Sequence, residues 1–307
     1  MTRILVTGAS GLLGLNFCLR FYHQHELTGV INSHPLPGAR FPVMQADLTR
    51  PGEIERLLDQ VQPELVLNAA ALANIDECES LPEQTWQINV HLPRALARAC
   101  ASRGVKLIHL STDAVFDGLR GDYSEEDEPS PRSVYARSKL ASERAVLEEA
   151  PGALVARLNF YGWSLFGKRS LAEFFFYNLS ERIAVQGFVD VQFCPLEVTY
   201  LAEILLRLDE LGCGGLYHVV SSESLTKYTF GLAVAERFGL DGSLIRPVSV
   251  SEGGLRAVRS PDLRLRTDRL SAALGHPPPG QAECLQRFYE QYQNCYPQQV
   301  RDLARMH

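Results

Sequence analysis

The 307-residue sequence has no apolar run approaching the ~18 residues that a membrane-spanning helix needs, so no membrane partner of that kind is expected. Seven cysteines, at 18, 78, 100, 194, 213, 284 and 295, form no C-x-x-C motif, and an odd number cannot all pair. Scattered reduced thiols point to a cytoplasmic protein rather than a disulfide scaffold. The eight histidines contain no H-x₃-H or H-E-x-x-H pattern, so no metal centre is expected. Neither charge dominates: 30 Lys and Arg stand against 36 Asp and Glu, and the formal charge of −6 argues against nucleic acid as a partner. With 46% hydrophobic residues and so small a net charge, intrinsic disorder is excluded. The opening Met1-Thr-Arg-Ile-Leu-Val-Thr-Gly reads as a strand running into glycine, so a signal peptide is not expected there. No internal repeat or low-complexity tract is present.

Apolar strands alternate with helical periodicity over the first 160 or so residues. Strands are expected at Ile4–Thr7, Thr28–Asn32, Pro42–Ala46, Leu65–Asn68, Val105–Leu110 and Ala153–Arg157. Helices are expected over Gly11–His25, Gly52–Val61, Pro82–Ser102 and Val134–Ala150, and the two long thiol-bearing ones should bury Cys18 and Cys100. This alternation indicates a parallel sheet covered on both faces. Beyond Gly162 the regularity fades, although a strand at Leu216–Val220 and helices at 198–211 and 226–238 remain legible.

Gly8, Gly11 and Gly14 have the spacing G-x-x-G-x-x-G, directly between the first strand and the first helix. Glycines there allow a tight turn and close backbone approach, and a helix N-terminus offers N–H groups to a pyrophosphate. Candidate dinucleotide contacts are therefore Gly8, Ser10, Gly11, Leu12, Leu13 and Gly14. The second strand ends Asn32-Ser33-His34 with Arg40 close behind and no carboxylate, a set that tolerates a 2′-phosphate and favours NADPH, with NADH left open. Asp47 and Leu48 are candidates for the adenine side, and Asn68, Ala69 and Ala70 for a wall of small residues beside the cofactor. The fold class is thus α/β: a Rossmann-type doubly wound parallel sheet over 1–162, with a smaller C-terminal substrate-binding lobe over 163–307 that returns some segments to the Rossmann core.

Tyr135 and Lys139 stand at i and i+4, about 40° apart around one helix. An ammonium beside a phenol favours the phenolate, which makes Tyr135 a usable proton donor near neutral pH. Lys139 can also hold the nicotinamide ribose. The pair follows Ser111-Thr112-Asp113 at the end of the fifth strand, and ligands bind beyond the carboxyl ends of parallel strands. The two motifs therefore converge on one crevice.

Together, TGASGLLG, YARSK and LSTDAVFDG resemble the extended short-chain dehydrogenase/reductase family, and within it most nearly the dTDP-4-dehydrorhamnose reductase group. That group's S-T-D-Y-V-F-D-G is similar to Ser111–Gly118, its I-N-V to Ile88-Asn89-Val90, and its late R-P element to Arg259-Ser-Pro. The resemblance implies reduction of a nucleotide-diphospho-4-keto-6-deoxy sugar, with hydride delivered to C4, Tyr135 as proton donor and Thr112 bonded to the same oxygen. It further implies cofactor contacts at Asn89, Ser111, Tyr135 and Lys139. Substrate contacts would fall at Asp113, Val115, Phe116, Asn159 and Arg259. Two departures touch the sugar side: Ala114 replaces the group's tyrosine, and Arg157–Gly162 is one residue shorter than its counterpart. Sugar-nucleotide epimerases share the Tyr and Lys, and the regulatory β subunit of methionine adenosyltransferase shares the scaffold without catalysis, so both remain alternatives. A homodimer is also left open.

The charge is unevenly spread. Residues 121–130 carry five acids and no base, which reads as a solvated loop. Residues 246–269 hold six arginines against three acids, which reads as a locally positive face for substrate phosphates, with Arg259 as the candidate contact.

Overall fold

The computed structural model describes residues 1–167, 170–252 and 260–305. Strand β1 (Arg3–Thr7) buries Ile4 and Val6 in one apolar cluster and Leu5 in another, the two-residue alternation of a strand covered on both faces. The same split recurs in β4 (Leu65–Asn68), where Leu65 and Leu67 face the first cluster and Val66 the second. In β6 (Leu154–Leu158), Leu154, Ala156 and Leu158 oppose Val155 in the same way. With β2 (Glu26–Ile31), β3 (Val43–Gln45) and β5 (Lys106–Thr112), these strands form a parallel sheet. A seventh strand comes from far along the chain: Gly215–Val219 pairs parallel with β6, Leu216 opposite Val155. The order is Gly215–Val219, β6, β5, β4, β1, β2, β3, so the sheet reverses direction of winding between β1 and β4. That switch point is where an open α/β sheet leaves a crevice at its carboxyl edge.

Helix α1 (Leu12–Phe21) follows the glycine loop and α2 (Glu53–Val61) precedes β4. The single helix expected over Pro82–Ser102 is interrupted. It runs as α4 (Pro82–Trp86), a π-helical turn at Gln87–His91 and α5 (Leu92–Ala101). Pro93 has no N–H to give to residue 89, so the regular ladder cannot pass through this point. A short α3 (Ile75–Ser80), unforeseen from its polar sequence, is capped by Asn74, whose Oδ1 accepts from Glu77 N–H at 3.1 Å. Helix α6 (Val134–Glu149) is capped by Ser133, which accepts from Ala136 N–H at 3.1 Å.

The later chain packs onto this frame without a separating gap. Trp163 is fully buried, stacks on Phe288 at 4.0 Å between ring centroids, and donates to the Phe288 carbonyl. Asn16 of α1 donates to the Trp163 carbonyl at 3.0 Å and accepts from Tyr296 hydroxyl at 2.8 Å. The helix Val198–Glu210 lies against α1. Cys18 and Cys100 are core residues, as their helical positions require. Among the described residues no helix is long and apolar enough to cross a membrane, and no metal-binding group of His, Cys, Asp and Glu is found.

The acidic loop is exposed at Asp122, Glu126 and Glu128, as expected, but its acids also meet bases that lie outside the window. Asp127 pairs with Arg120 at 2.7 Å, Asp122 with Arg264 at 3.0 Å and Glu128 with Arg144 at 3.3 Å, while Glu125 accepts from the His218 backbone N–H at 2.8 Å. Three described arginines of the positive stretch are engaged as well. Arg264 is shared between Asp122 and Asp262, Arg266 pairs with Asp268, and Arg269 covers the Tyr217 ring at 4.6 Å. Arg256 and Arg259 lie outside the described residues.

Candidate active site

A cleft of about 810 Å³ opens at the carboxyl ends of β1 to β4, bordered by Gly8, Ser10 and Gly11 on one side and Ala69 and Ala70 on another. Ser33, His34, Asp47 and Leu48 line its far end. Gly8 is required twice over: its φ is +65°, and a Cβ there would lie 2.7 Å from backbone atoms of Ala69 and Ala70. A Cβ on Gly14 would lie 2.4 Å from the Gly8 carbonyl oxygen, so the third glycine seats the helix on the loop. The first turn of α1 then presents N–H groups that have no intrahelical acceptor. Asp47 accepts from Thr49 N–H at 3.1 Å and Thr49 hydroxyl at 2.6 Å, bonds that hold its carboxyl below the usual range.

Not every expected cofactor residue lines this cleft. Leu13 packs in the core and Gly14 is covered, because the helix turns both inward. Leu12, half-buried, packs against the same core. Arg40 is exposed and does not line the cleft. Asn68 and Ser111 are buried and do not line it. Asn89 grips Leu72 from both sides, accepting from its N–H and donating to its carbonyl, each at 2.9 Å. Several lining residues escaped the sequence reading, among them Thr49, Leu72 and Gln87. Phe166, 5.4 Å from the His34 ring, comes from the far half of the chain and carries no local signal.

A second pocket of about 200 Å³ adjoins the first at Ala73, which lines both. Tyr135, Thr112, Asp113, Ala114 and Asn159 face it. The nearby Thr112 side chain draws the Tyr135 phenol down, but burial outweighs this and pushes it up. The expected lowering of Tyr135 by Lys139 is therefore not what the fold produces. Lys139 is buried one turn along, beside Glu143 and His109, and its charge acts on His109. Burial pushes the Lys139 ammonium down to about 8, against the opposing pull of Glu143.

Asp113 is buried, and this pushes its carboxyl up to about 6 in spite of two bonds. Its Oδ2 accepts from Asn159 Nδ2 at 2.6 Å, and its Oδ1 from Thr112 hydroxyl at 3.1 Å. Val115 and Phe116, expected to touch substrate, are instead fully buried. Phe116 stacks on Tyr123 at 4.2 Å and lies under the Arg157 guanidinium at 5.0 Å. Arg132, Gln192, Lys227 and Ser260 do line the pocket; they arrive from four separate segments and could not be grouped by spacing. Arg259 lies outside the described residues.

The chain is similar to several known proteins. The chain is 36% identical over 249 residues to the probable low-salt glycan biosynthesis reductase Agl14 of Haloferax volcanii, with 78% of this chain and 81% of the relative covered. It is 34% identical over 270 residues to a Mycobacterium tuberculosis dTDP-4-dehydrorhamnose reductase, covering 84% and 83%. Methionine adenosyltransferase 2 subunit beta of Mus musculus is 33% identical over 267 residues, covering 81% and 76%. The crystal structure of a dTDP-4-dehydrorhamnose reductase from Clostridium acetobutylicum superposes with a TM-score of 0.81 at 25% identity, over 94% of this chain and 99% of that one. The RmlD substrate binding domain model matches residues 1–294, and the chain belongs to that family.

Proposed function

We propose that the protein is an NADPH-dependent reductase of nucleotide-diphospho-4-keto-6-deoxy sugars. The observation that carries this reading is the meeting of two pockets. Tyr135 and Thr112 face a sugar-sized cavity that adjoins, at Ala73, the cleft bordered by the glycine loop. The cleft fits a dinucleotide: Gly8 leaves room that any side chain would fill, and the end of β2 offers Ser33 and His34 in place of a carboxylate. When bound, NADPH supplies the hydride.

The chain's own residues bind, orient and move a proton. The Tyr135 hydroxyl donates its proton to the substrate carbonyl oxygen as negative charge builds there, and Thr112 Oγ1 hydrogen-bonds the same oxygen. A phenol held above its ordinary range keeps its proton until that charge develops. Asn159 and Asp113 hold each other at 2.6 Å and present a polar wall to the sugar. Lys139 supplies positive charge beneath the site.

Incubation with NADPH and a panel of 4-keto sugar nucleotides tests the reading through loss of absorbance at the reduced-cofactor band. Tyr135→Phe is expected to cut turnover by about 10²-fold or more and to leave NADPH affinity within about twofold. Equal turnover in that variant refutes the proton-donor role. A second reading, a non-catalytic regulatory subunit, is favoured by Ala114 standing where the reductase group has tyrosine. No turnover with any sugar, together with binding to a methionine adenosyltransferase catalytic subunit, would establish it instead.

A further inference from the structure

Behind the Ala69–Ala70 wall of the larger cleft, a run of buried side chains joins that wall to the helix that carries Tyr135 and Lys139. Ala70 N–H donates to Thr7 Oγ1 at 3.3 Å, and the Thr7 hydroxyl donates to Asn68 Oδ1 at 2.7 Å. Asn68 Nδ2 meets His109 Nδ1 at 3.0 Å, and His109 Nε2 meets Ser142 Oγ at 2.7 Å. Ser142 completes the run by donating to the Lys139 carbonyl oxygen at 3.0 Å. Thr7, Asn68, His109 and Ser142 are each at most 1% exposed.

The two ends fix the direction of every bond. Asn68 Nδ2 can only donate, so His109 Nδ1 accepts. Ser142 uses its one proton on the Lys139 carbonyl, so His109 Nε2 carries the hydrogen and donates. His109 is thus the neutral Nε2–H tautomer, and a protonated ring would set two N–H donors against each other. Burial and the neighbouring Lys139 charge act in the same sense. A serine bonding back to its own helix would by itself tend to bend it. Here its oxygen is held from outside by a histidine on β5.

We propose that His109 is a positioning residue, locking the Lys139 turn of α6 to the Asn68–Ala70 wall of the cofactor cleft. Its catalytic meaning rests on the reductase reading, while the coupling itself rests on the hydrogen bonds. Helix α6 has a second tie that does not pass through His109: Asn89 Nδ2 donates to Ser138 Oγ at 3.1 Å, and Ser138 donates to the Tyr135 carbonyl at 2.7 Å. A His109 variant therefore keeps the helix in place while loosening the turn that bears Lys139.

His109→Phe removes both bonds, whereas His109→Gln retains one acceptor and one donor on a planar group. The measurements are NADPH dissociation constant by cofactor fluorescence, kcat and KM for the sugar reduced by wild type, and the urea midpoint. His109→Phe is expected to raise the NADPH dissociation constant about tenfold and lower kcat about tenfold, with sugar KM within about twofold. His109→Gln is expected to restore both to within about threefold. A lowered urea midpoint with dissociation constant and kcat unchanged in both variants overturns the proposal, since that is what a purely structural role predicts. Should His109→Phe fail to fold, Ser142→Ala breaks the same run and is expected to shift both quantities about threefold, with no shift overturning it. If wild type reduces no sugar, the reductase reading fails on its own. The NADPH dissociation constants of the variants then decide: a rise upholds the coupling and no change overturns it.

Discussion

The ion pair between Arg157 and Glu143 offers a test of how the floor of the site is held. Arg157 Nε and Nη2 donate to the two Glu143 oxygens at 3.0 and 2.8 Å, with both side chains under 5% exposed. Ser111 donates to the same carboxylate, and Phe116 lies under the guanidinium. Arg157→Met keeps most of the volume but leaves the Glu143 carboxylate with the Ser111 hydroxyl as its hydrogen-bond partner and only the neighbouring Lys139 charge to offset it. Breaking a buried pair from one side costs about 3–5 kcal/mol, and loss of the ring contact adds about 1 kcal/mol. The pair's own net worth is much smaller, because both charges lose their hydration on folding. Arg157→Met/Glu143→Met should therefore regain most of what the single variant loses. Urea unfolding followed by tryptophan emission suits the measurement, since Trp163 is fully buried and lies in the same packed unit. At about 3 kcal/mol per molar urea, the single variant should unfold about 1–2 M earlier than wild type. A single variant within about 1 kcal/mol of wild type, or a double variant no better than the single, would refute the reasoning.

Two further outcomes follow from the same geometry. Gly8→Ala places a methyl 2.7 Å from the Ala69 and Ala70 backbone at a φ of +65°, so NADPH affinity should fall at least about tenfold by fluorescence titration, and an unchanged affinity would remove the loop from the cofactor site. If Lys139 acts as the ammonium, kcat should fall as pH rises through about 8, because burial has lowered its proton affinity and the charge is lost there; a profile flat well beyond that pH would count against it. The sign for stability is opposite: with its pKa depressed in the folded state, Lys139 adds stability as pH rises from about 8 towards its ordinary value of 10.5, and that gain is lost as pH falls through about 8.

The first half of the fold was legible because its signals are local. A short apolar run and a glycine loop at residue 8 placed β1, the turn and α1, and the later strands repeat the apolar run. The π-helical turn at Gln87–His91 was not legible, because apolar periodicity continues through it and only Pro93 hints at a lost bond. The pairing of Gly215–Val219 with β6 joins residues some 60 apart, which no local pattern encodes. At the site, Gly8, Ser33, Asp47, Ala69, Thr112 and Tyr135 do face the pockets, because strand ends and a helix start fix where they point. Val115 and Phe116 follow Asp113 through a single 3₁₀ turn that rotates them into the core, a detail below the reach of motif comparison. Lys227 and Gln192 needed the tertiary fold to line the same pocket as Tyr135.

The late arrival of the strand at Gly215–Val219 bears on how the chain assembles during synthesis. Until residue 219 has emerged, β6 has a bare edge, with Leu154–Leu158 offering unpaired backbone groups to any passing strand. Helix Val198–Glu210, which must cover α1, is made only shortly before that edge is closed. The nascent chain therefore carries a sticky, half-finished sheet through the synthesis of some 60 residues, the interval in which chaperones have most to protect. Once closed, the same connection makes the two halves of the chain stand or fall together. A nick in the exposed segment near Leu119 should leave two fragments that stay bound until denaturant separates them.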